Sequence, residues 1–293
     1  MLDREGYLPL GEYKIYYHRF GGNRATKTPL LVLHGGPGAL HNYLLNLQEL
    51  ASEEREVIFY DQLGCGNSDI PDDLSLWRVE RFVEELGQVI KGLGLEKVHI
   101  LGQSWGGMLA QEYALTQPGN IESLILANTL SSIPLWVAEA NCLRADLPPE
   151  VQATLLEHEE AGTTSSNEYE AAMTVFYERH VCRVPYPDYV TYSFAHINDG
   201  PVYGYMNGPS EFHVIGVIKD WDITSRLGEI KLPTLIISGL YDESTPAINK
   251  VLNEGIAGSE WLMLENSSHL AHVEEPEAYF AAVTKFLARV EGS

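Results

Sequence analysis

An α/β architecture, with a mostly parallel sheet covered by helices on both faces and a mostly helical insertion, is what this sequence predicts. Three observations carry that expectation. Short continuous runs rich in Val, Ile and Leu recur at 30–35 (LLVLHG), 57–62 (VIFYDQ), 98–103 (VHILGQ) and 123–128 (SLILAN), separated by helix-length segments. Strands apolar on both faces that alternate with helices imply a parallel sheet buried on both sides. From 131 to 226 the text turns richer in Pro, Tyr, Asn and polar clusters, with no convincing sheet strand, before strand signals resume at 232–239 (LPTLIISG) and 260–266 (EWLMLEN). The chain therefore reads as one core, residues 1–130 and 227–293, with a mostly helical domain, 131–226, inserted after the sixth strand.

Element by element, the opening EGYLPLGEYKIYYHRF alternates around a Gly turn, as an antiparallel hairpin does. Residues 78–91 place Val79, Phe82, Val83, Leu86, Val89 and Ile90 along one helical stripe. Within the insertion, PEVQATLLEHEEA and NEYEAAMTVFYERHV have the spacing of amphipathic helices, while PYPDY and DGPVYGYMNGP read as loops. The last segment opens on Pro276, a helix-starting position, and sets Phe280, Val283, Leu287 and Val290 toward the core.

The 293 residues suffice for one sizeable core, and 45% hydrophobic with 20% charged residues fits a globular protein. With 19 basic against 41 acidic residues the net charge is −22, which argues against nucleic acid and anionic membrane, both bound through basic patches. Most of that acidity is expected to be solvated surface, with a few carboxylates available to form a pocket for a cation. Cys65, Cys142 and Cys182 are few, odd in number and lack metal-ligand spacing, so a reducing cytosol is the expected home. MLDREGYLPLGEYKIYY has no basic region followed by an apolar stretch, and no apolar run is long enough to span a bilayer. A soluble cytoplasmic protein is expected.

The chemistry is concentrated at Gly102-x-Ser104-x-Gly106, preceded by a strand pattern and followed by the helical MLAQEYAL. This is the nucleophile-elbow spacing of serine hydrolases built on a parallel sheet. The strand-to-helix turn is so tight that the serine takes a strained backbone and bulky neighbours would clash. It lifts Oγ above the sheet and aims the N–H of Trp105 at a developing oxyanion. LLVLHGGPG, residues 30–38, supplies a second backbone-rich loop and a second donor at Gly36; no phosphate-binding glycine pattern is present. His34 is expected to hold this loop. In this topology the order is serine, acid, histidine. GLYDESTP offers Asp242, with Glu243 its competitor, and NSSHLAHVEEPE offers His269, with His272 its competitor; His269 follows the strand more closely.

HGGPG, YDQLGCGNSD, GQSWGGMLAQEYA, GLYDESTP and SSHLAHVEEPE together resemble the proline iminopeptidases of the α/β-hydrolase superfamily. The insertion's YMNGPSEFHVIGVIKDWDIT is similar to the cap segment of tricorn-interacting aminopeptidases in this group, so the resemblance covers nearly the whole chain. It implies an α/β-hydrolase fold with a helical cap, and release of an N-terminal residue, often proline, from short peptides without metal or organic cofactor. It implies Ser104 as nucleophile, Asp242 and His269 as its partners, and the Gly36 and Trp105 amides as the oxyanion hole. It further implies that Glu211 and Glu243 bind the substrate's free α-amine, a role that paired carboxylates in a partly dry pocket suit. Tyr203, Tyr205 and Phe212 flank Glu211 and are either cap core or a surface for a proline ring. Trp105 stands where many relatives have tyrosine, so the pocket wall is expected to differ there. The expected partners are short peptides or amino-acid amides with a free N-terminus; no protein partner is identifiable. The rival activity is an amino-acid amidase with the same triad. A generic esterase or carbon–carbon hydrolase needs no paired carboxylates, and a hydrolase-like receptor would need no triad.

Overall fold

The computed structural model describes residues 2–292. Eight strands form one sheet in the order β1-β2-β4-β3-β5-β6-β7-β8. The hairpin expected at the N-terminus is β1 (Asp3–Leu10) and β2 (Tyr13–Gly21), antiparallel to each other, and β2 also lies antiparallel to β4 (Glu56–Tyr60). The other pairings, through β3 (Leu30–Leu33), β5 (Val98–Gln103), β6 (Ile121–Ala127), β7 (Thr234–Gly239) and β8 (Glu260–Leu264), are parallel.

Alternation along the strands splits the core into two layers. Leu31, Leu33, Ile58 and Tyr60 pack beneath α1 (Val79–Gly92) and α2 (Trp105–Leu115). Leu30, Val32, Val57 and Phe59 face the 3-10 segment His41–Leu50 and α10 (Pro276–Val290). The stripe on α1 faces its layer as expected, Val79 and Val83 being only partly buried, but Glu85 is buried within the same face. On α10 the buried set is Tyr279, Val283, Phe286 and Leu287, one residue round from the expected stripe, with Phe280 and Val290 partly covered at its edge.

Between β6 and β7 run α3 (Ile133–Ala145), α4 (Pro149–Ala161), α5 (Asn167–His180), α6 (Asp188–Ala195) and α7 (Val202–Met206), with no strand among these residues. The two amphipathic segments are α4 and α5, and Leu155, Tyr169, Phe176 and Phe212 form an apolar cluster of their own. Two stretches read as loops contain helix instead. PYPDY enters α6 at Asp188, where Pro187 fixes the approach and an acid occupies the first turn; DGPVYGYMNGP holds the five-residue α7, which follows Pro201. Proline and tyrosine clusters mark helix entrances as well as turns. The helix α3 also opens on a legible signal, the Ser132 hydroxyl accepting from the Leu135 N–H with proline in the first turn. After β7 come α8 (Pro246–Gly255), β8, the single turn α9 (Ala271–Glu274) and α10. No helix among the described residues is long and apolar enough to cross a membrane.

The order of strands reverses at β3: the chain moves from β3 to β4 on one side and to β5 on the other. Crevices at the carboxyl ends of strands beside such a switch point are where open α/β sheets place ligands. The loops after β3, β5, β7 and β8 all leave the sheet at that edge, and they carry Gly36, Ser104, Asp242 and His269.

Candidate active site

Ser104 joins β5 to α2 with φ +56° and ψ −125°, a conformation that non-glycine residues rarely hold. Its neighbours must be glycine for a steric reason. A Cβ on Gly102 would run into the Gly106 carbonyl, and one on Gly106 into the Leu33 carbonyl. The elbow is pinned by the Ser104 N–H on the Ala127 carbonyl (3.0 Å) and by the Thr129 hydroxyl on the Ser104 carbonyl (2.7 Å). Trp105 begins α2, so its N–H is among those a helix leaves without an intrahelical acceptor.

The Trp105 side chain does not form pocket wall, which corrects the expectation drawn from its difference from tyrosine. It is buried against Phe82 (5.7 Å between rings), and its indole N–H donates to Gln62 Oε1 at 2.9 Å. Gln62 in turn donates its amide N–H to His34 Nε2 and its side chain to the His34 carbonyl, both at 3.0 Å. His34 thus holds the glycine loop, as expected, and burial lowers its pKa to about 4, which keeps it neutral. The two backbone segments carrying the Gly36 and Trp105 amides are cross-linked through one glutamine.

Asp242 Oδ1 accepts from His269 Nδ1 at 2.8 Å and from the Ser244 N–H at 2.8 Å, while Oδ2 accepts from Asn128 Nδ2 at 2.7 Å. Buried and multiply bonded, it is the acid that orients the imidazole. Glu243 lies on the other side of the ring, 3.8 Å from Nε2. His272 is directed away, its Nε2 on the Tyr43 carbonyl at 3.0 Å.

Ser104, His269, Gly36, Glu211, Glu243 and Tyr203 line one cavity of about 470 Å³. Tyr203 donates to Glu211 Oε1 at 2.7 Å, and the Tyr177 hydroxyl accepts from the Glu211 N–H at 3.3 Å. Both Glu243 oxygens are buried without a hydrogen-bond partner among the described residues. Burial pushes both glutamates above the usual carboxylate range, and at Glu243 the neighbouring charges of Glu211 and Asp242 push the same way. Tyr205 and Phe212 are not part of this cavity. Tyr205 is partly exposed, and Phe212 packs on Phe176 (4.8 Å) in the insertion's own cluster.

The sequence matches the family described as alpha/beta hydrolase fold over residues 28–276. A proline iminopeptidase of Heyndrickxia coagulans is 41% identical over 284 residues, 97% of this chain and 98% of its own. Among solved structures, a proline iminopeptidase of Mycobacterium smegmatis superposes with a TM-score of 0.90 at 42% identity over 98% of both chains. VinJ superposes at 0.94 with 40% identity over 98% of this chain and 99% of its own. This chain belongs to the proline iminopeptidase family of α/β-hydrolases.

In this family member several residues that motif reading passed over hold the site together. The Tyr43 hydroxyl accepts from the Gly35 N–H (2.7 Å) and donates to Gln103 Oε1 (2.5 Å), whose amide donates to the His269 carbonyl (3.1 Å). Asn128 ties Asp242 to the Ser268 carbonyl at 3.1 Å. Trp136 packs edge-on against His269 at 5.9 Å and donates to the Glu211 carbonyl at 2.7 Å. His180, the last residue of α5, accepts on its carbonyl from the N–H of both Glu243 (3.3 Å) and His269 (3.2 Å). Only Gln103, inside the elbow motif, gave any sequence signal.

Proposed function

We propose that this protein is a serine aminopeptidase that releases one N-terminal residue, proline or another apolar residue, from short peptides under a helical cap formed by residues 131–226. The observation that carries the reading is the pair of carboxylates, half-buried Glu211 and fully buried Glu243, in the cavity that Ser104 and His269 also line. An ammonium group satisfies both, and its place is set by Glu243, 3.8 Å from His269 Nε2. In an α-amino acid the amine nitrogen and the carbonyl carbon are two bonds, about 2.5 Å, apart. An anchor so close to the base therefore fits a single residue between amine and scissile bond. A blocked amine would leave two carboxylates facing each other without a counter-charge.

In this mechanism His269 Nε2 takes the proton of Ser104 as Oγ attacks the carbonyl, and Asp242 stabilises the imidazolium that forms. The Gly36 and Trp105 amides receive the oxyanion. As the tetrahedral intermediate collapses, the C–N bond breaks and His269 gives its proton to the departing amine. Water, deprotonated by the same imidazole, then attacks the acyl-serine ester; as the C–Oγ bond breaks the imidazolium returns that proton to Ser104 Oγ and the amino acid is released. The cavity volume leaves room for a leaving group larger than ammonia, which favours peptides over amino-acid amides. Ser104→Ala should abolish hydrolysis of a proline arylamide while the circular dichroism spectrum is retained. N-acetylation of the same substrate should abolish turnover by the wild-type protein. Equal rates on the free and acetylated arylamides would exclude the amine anchor.

A further inference from the structure

A groove on the outer side of the catalytic loops shares two of its walls with the cavity, Glu178 and Val184. Its other walls include Tyr241 and Asn266, which stand one residue before Asp242 and three before His269, so it adjoins the loops that carry the acid and the base. Arg179 and Arg183 line it from the end of α5 and the turn that follows.

The state of these arginines is unusual for a chain with 41 acidic residues. Arg55 and Arg144 each pair with a glutamate, at 2.7 and 3.0 Å. Arg179 instead donates to the backbone carbonyl of Asp146 (3.1 Å) and Arg183 to that of Asn266 (3.4 Å). Among the described residues neither is ion-paired with a carboxylate. The Arg183 guanidinium lies over the Tyr241 ring at 3.6 Å from its centroid. Stacking of that kind fixes the plane of the fork and leaves further N–H groups free for a planar, bidentate anion. The groove also contains the carboxylates of Asp146 and Glu178, so it is a local balance of charge on a strongly acidic protein.

We propose that this groove is the subsite for the C-terminal carboxylate of a short peptide whose amino terminus is held by Glu211 and Glu243. The proposal rests on the aminopeptidase reading above and adds a length rule to it. Each extended residue advances the chain by about 3.3–3.6 Å, so only peptides whose last residue reaches past the cavity mouth gain the contact.

Free-acid peptides Pro-Ala, Pro-Ala-Ala, Pro-Ala-Ala-Ala and Pro-Ala-Ala-Ala-Ala, with their C-terminal amides, test it on the wild-type protein and on Arg179→Gln/Arg183→Gln. At the length that reaches the groove, the wild type should prefer the acid over the amide by about fivefold in kcat/KM, expressed in KM. The double variant should bring that ratio to about one, and because acid and amide are compared within each protein, any general change in activity cancels from the ratio. Glu178→Gln, which removes a repelling charge, should raise the acid-to-amide ratio. Identical ratios in wild type and double variant at all four lengths would overturn the subsite while leaving the aminopeptidase intact. A wild-type protein inactive on proline arylamide and on all the free-amine peptides would overturn the aminopeptidase reading, and the subsite with it.

Discussion

Glu243 is the side chain whose surroundings run most against its own stability. Both oxygens are buried without partners, two further carboxylates stand nearby, and its carboxyl is pushed well above the ordinary range. A carboxyl raised in the folded state stabilises the fold at low pH, and that contribution is lost as pH rises through the folded-state value, because the ionised form must then be buried. Glu243→Gln should therefore be more stable than the wild type at pH 8, read as a higher melting temperature, with the advantage shrinking toward pH 4. If Glu243 anchors the substrate amine as proposed, the same substitution also removes one charge-assisted hydrogen bond to that ammonium, worth about 1.5–3 kcal/mol. It should lower kcat/KM for proline arylamide by roughly 10- to 150-fold, mostly through KM. A variant that gains stability and loses affinity together is the expected mark of a group kept for its ligand; a drop in both would assign Glu243 a structural role. At Glu211 the carboxylate already accepts from Tyr203, so Glu211→Gln should give a smaller stability gain.

Within single elements, α1 carries a further buried acid that the apolar stripe concealed. Glu85 sits between the periodic positions, accepts from the Leu63 N–H at 3.1 Å and faces Arg81 at 3.3 Å, and its carboxyl is pushed up to about 7 by burial. Its favourable contribution is complete below the unfolded value near 4.5, falls between there and about 7, and is gone above. The shift corresponds to a change on the order of 3 kcal/mol. Urea unfolding at pH 4.5 and pH 8 measures it: the difference in stability between the two pH values should shrink by about that amount in Glu85→Gln. Glu85 also marks where sequence reading stops. Strands β3 to β7 were legible because their hydrophobic runs report burial directly, and β8 because its apolar run persists along a half-covered sheet edge; the elbow was legible because steric contact leaves only glycine at 102 and 106. The burial of Glu85 depends on a backbone N–H twenty-two residues away. The short α7 and the start of α6 lay under proline and tyrosine clusters whose local signal fits either a turn or a helix entrance.

Across the whole molecule, the candidate triad and amine anchor are fixed from both sides of the interface between the sheet and the inserted helices. Asp242 and His269 were legible from chain order, and the resemblance pointed to Glu211. The strut between the Asp242–Glu243 and His269 loops was not, because it is the carbonyl of His180, and a main-chain acceptor leaves no trace in side-chain identity. That carbonyl takes the N–H groups of Glu243 and His269, the Leu270 N–H bonds the next carbonyl along, Val181 (2.9 Å), and Glu274 links the Arg183 N–H (2.8 Å) to the Ser268 N–H (2.7 Å). The C-terminal end of α5 is thereby part of the same hydrogen-bonded body as the two loops, although it belongs to a segment some sixty residues earlier than Asp242. Loosening α5 should then loosen the loops. The Ser166 hydroxyl caps α5 by accepting from the Tyr169 N–H at 3.1 Å, and replacing such a cap with alanine costs about 1 kcal/mol. In Ser166→Ala, amide hydrogen exchange should quicken in α5 and also around Glu243, His269 and Leu270, while the β5–α2 elbow, held by Ala127 and Thr129, keeps its protection. Faster exchange confined to α5 would mean that the helix end rests on the loops without holding them.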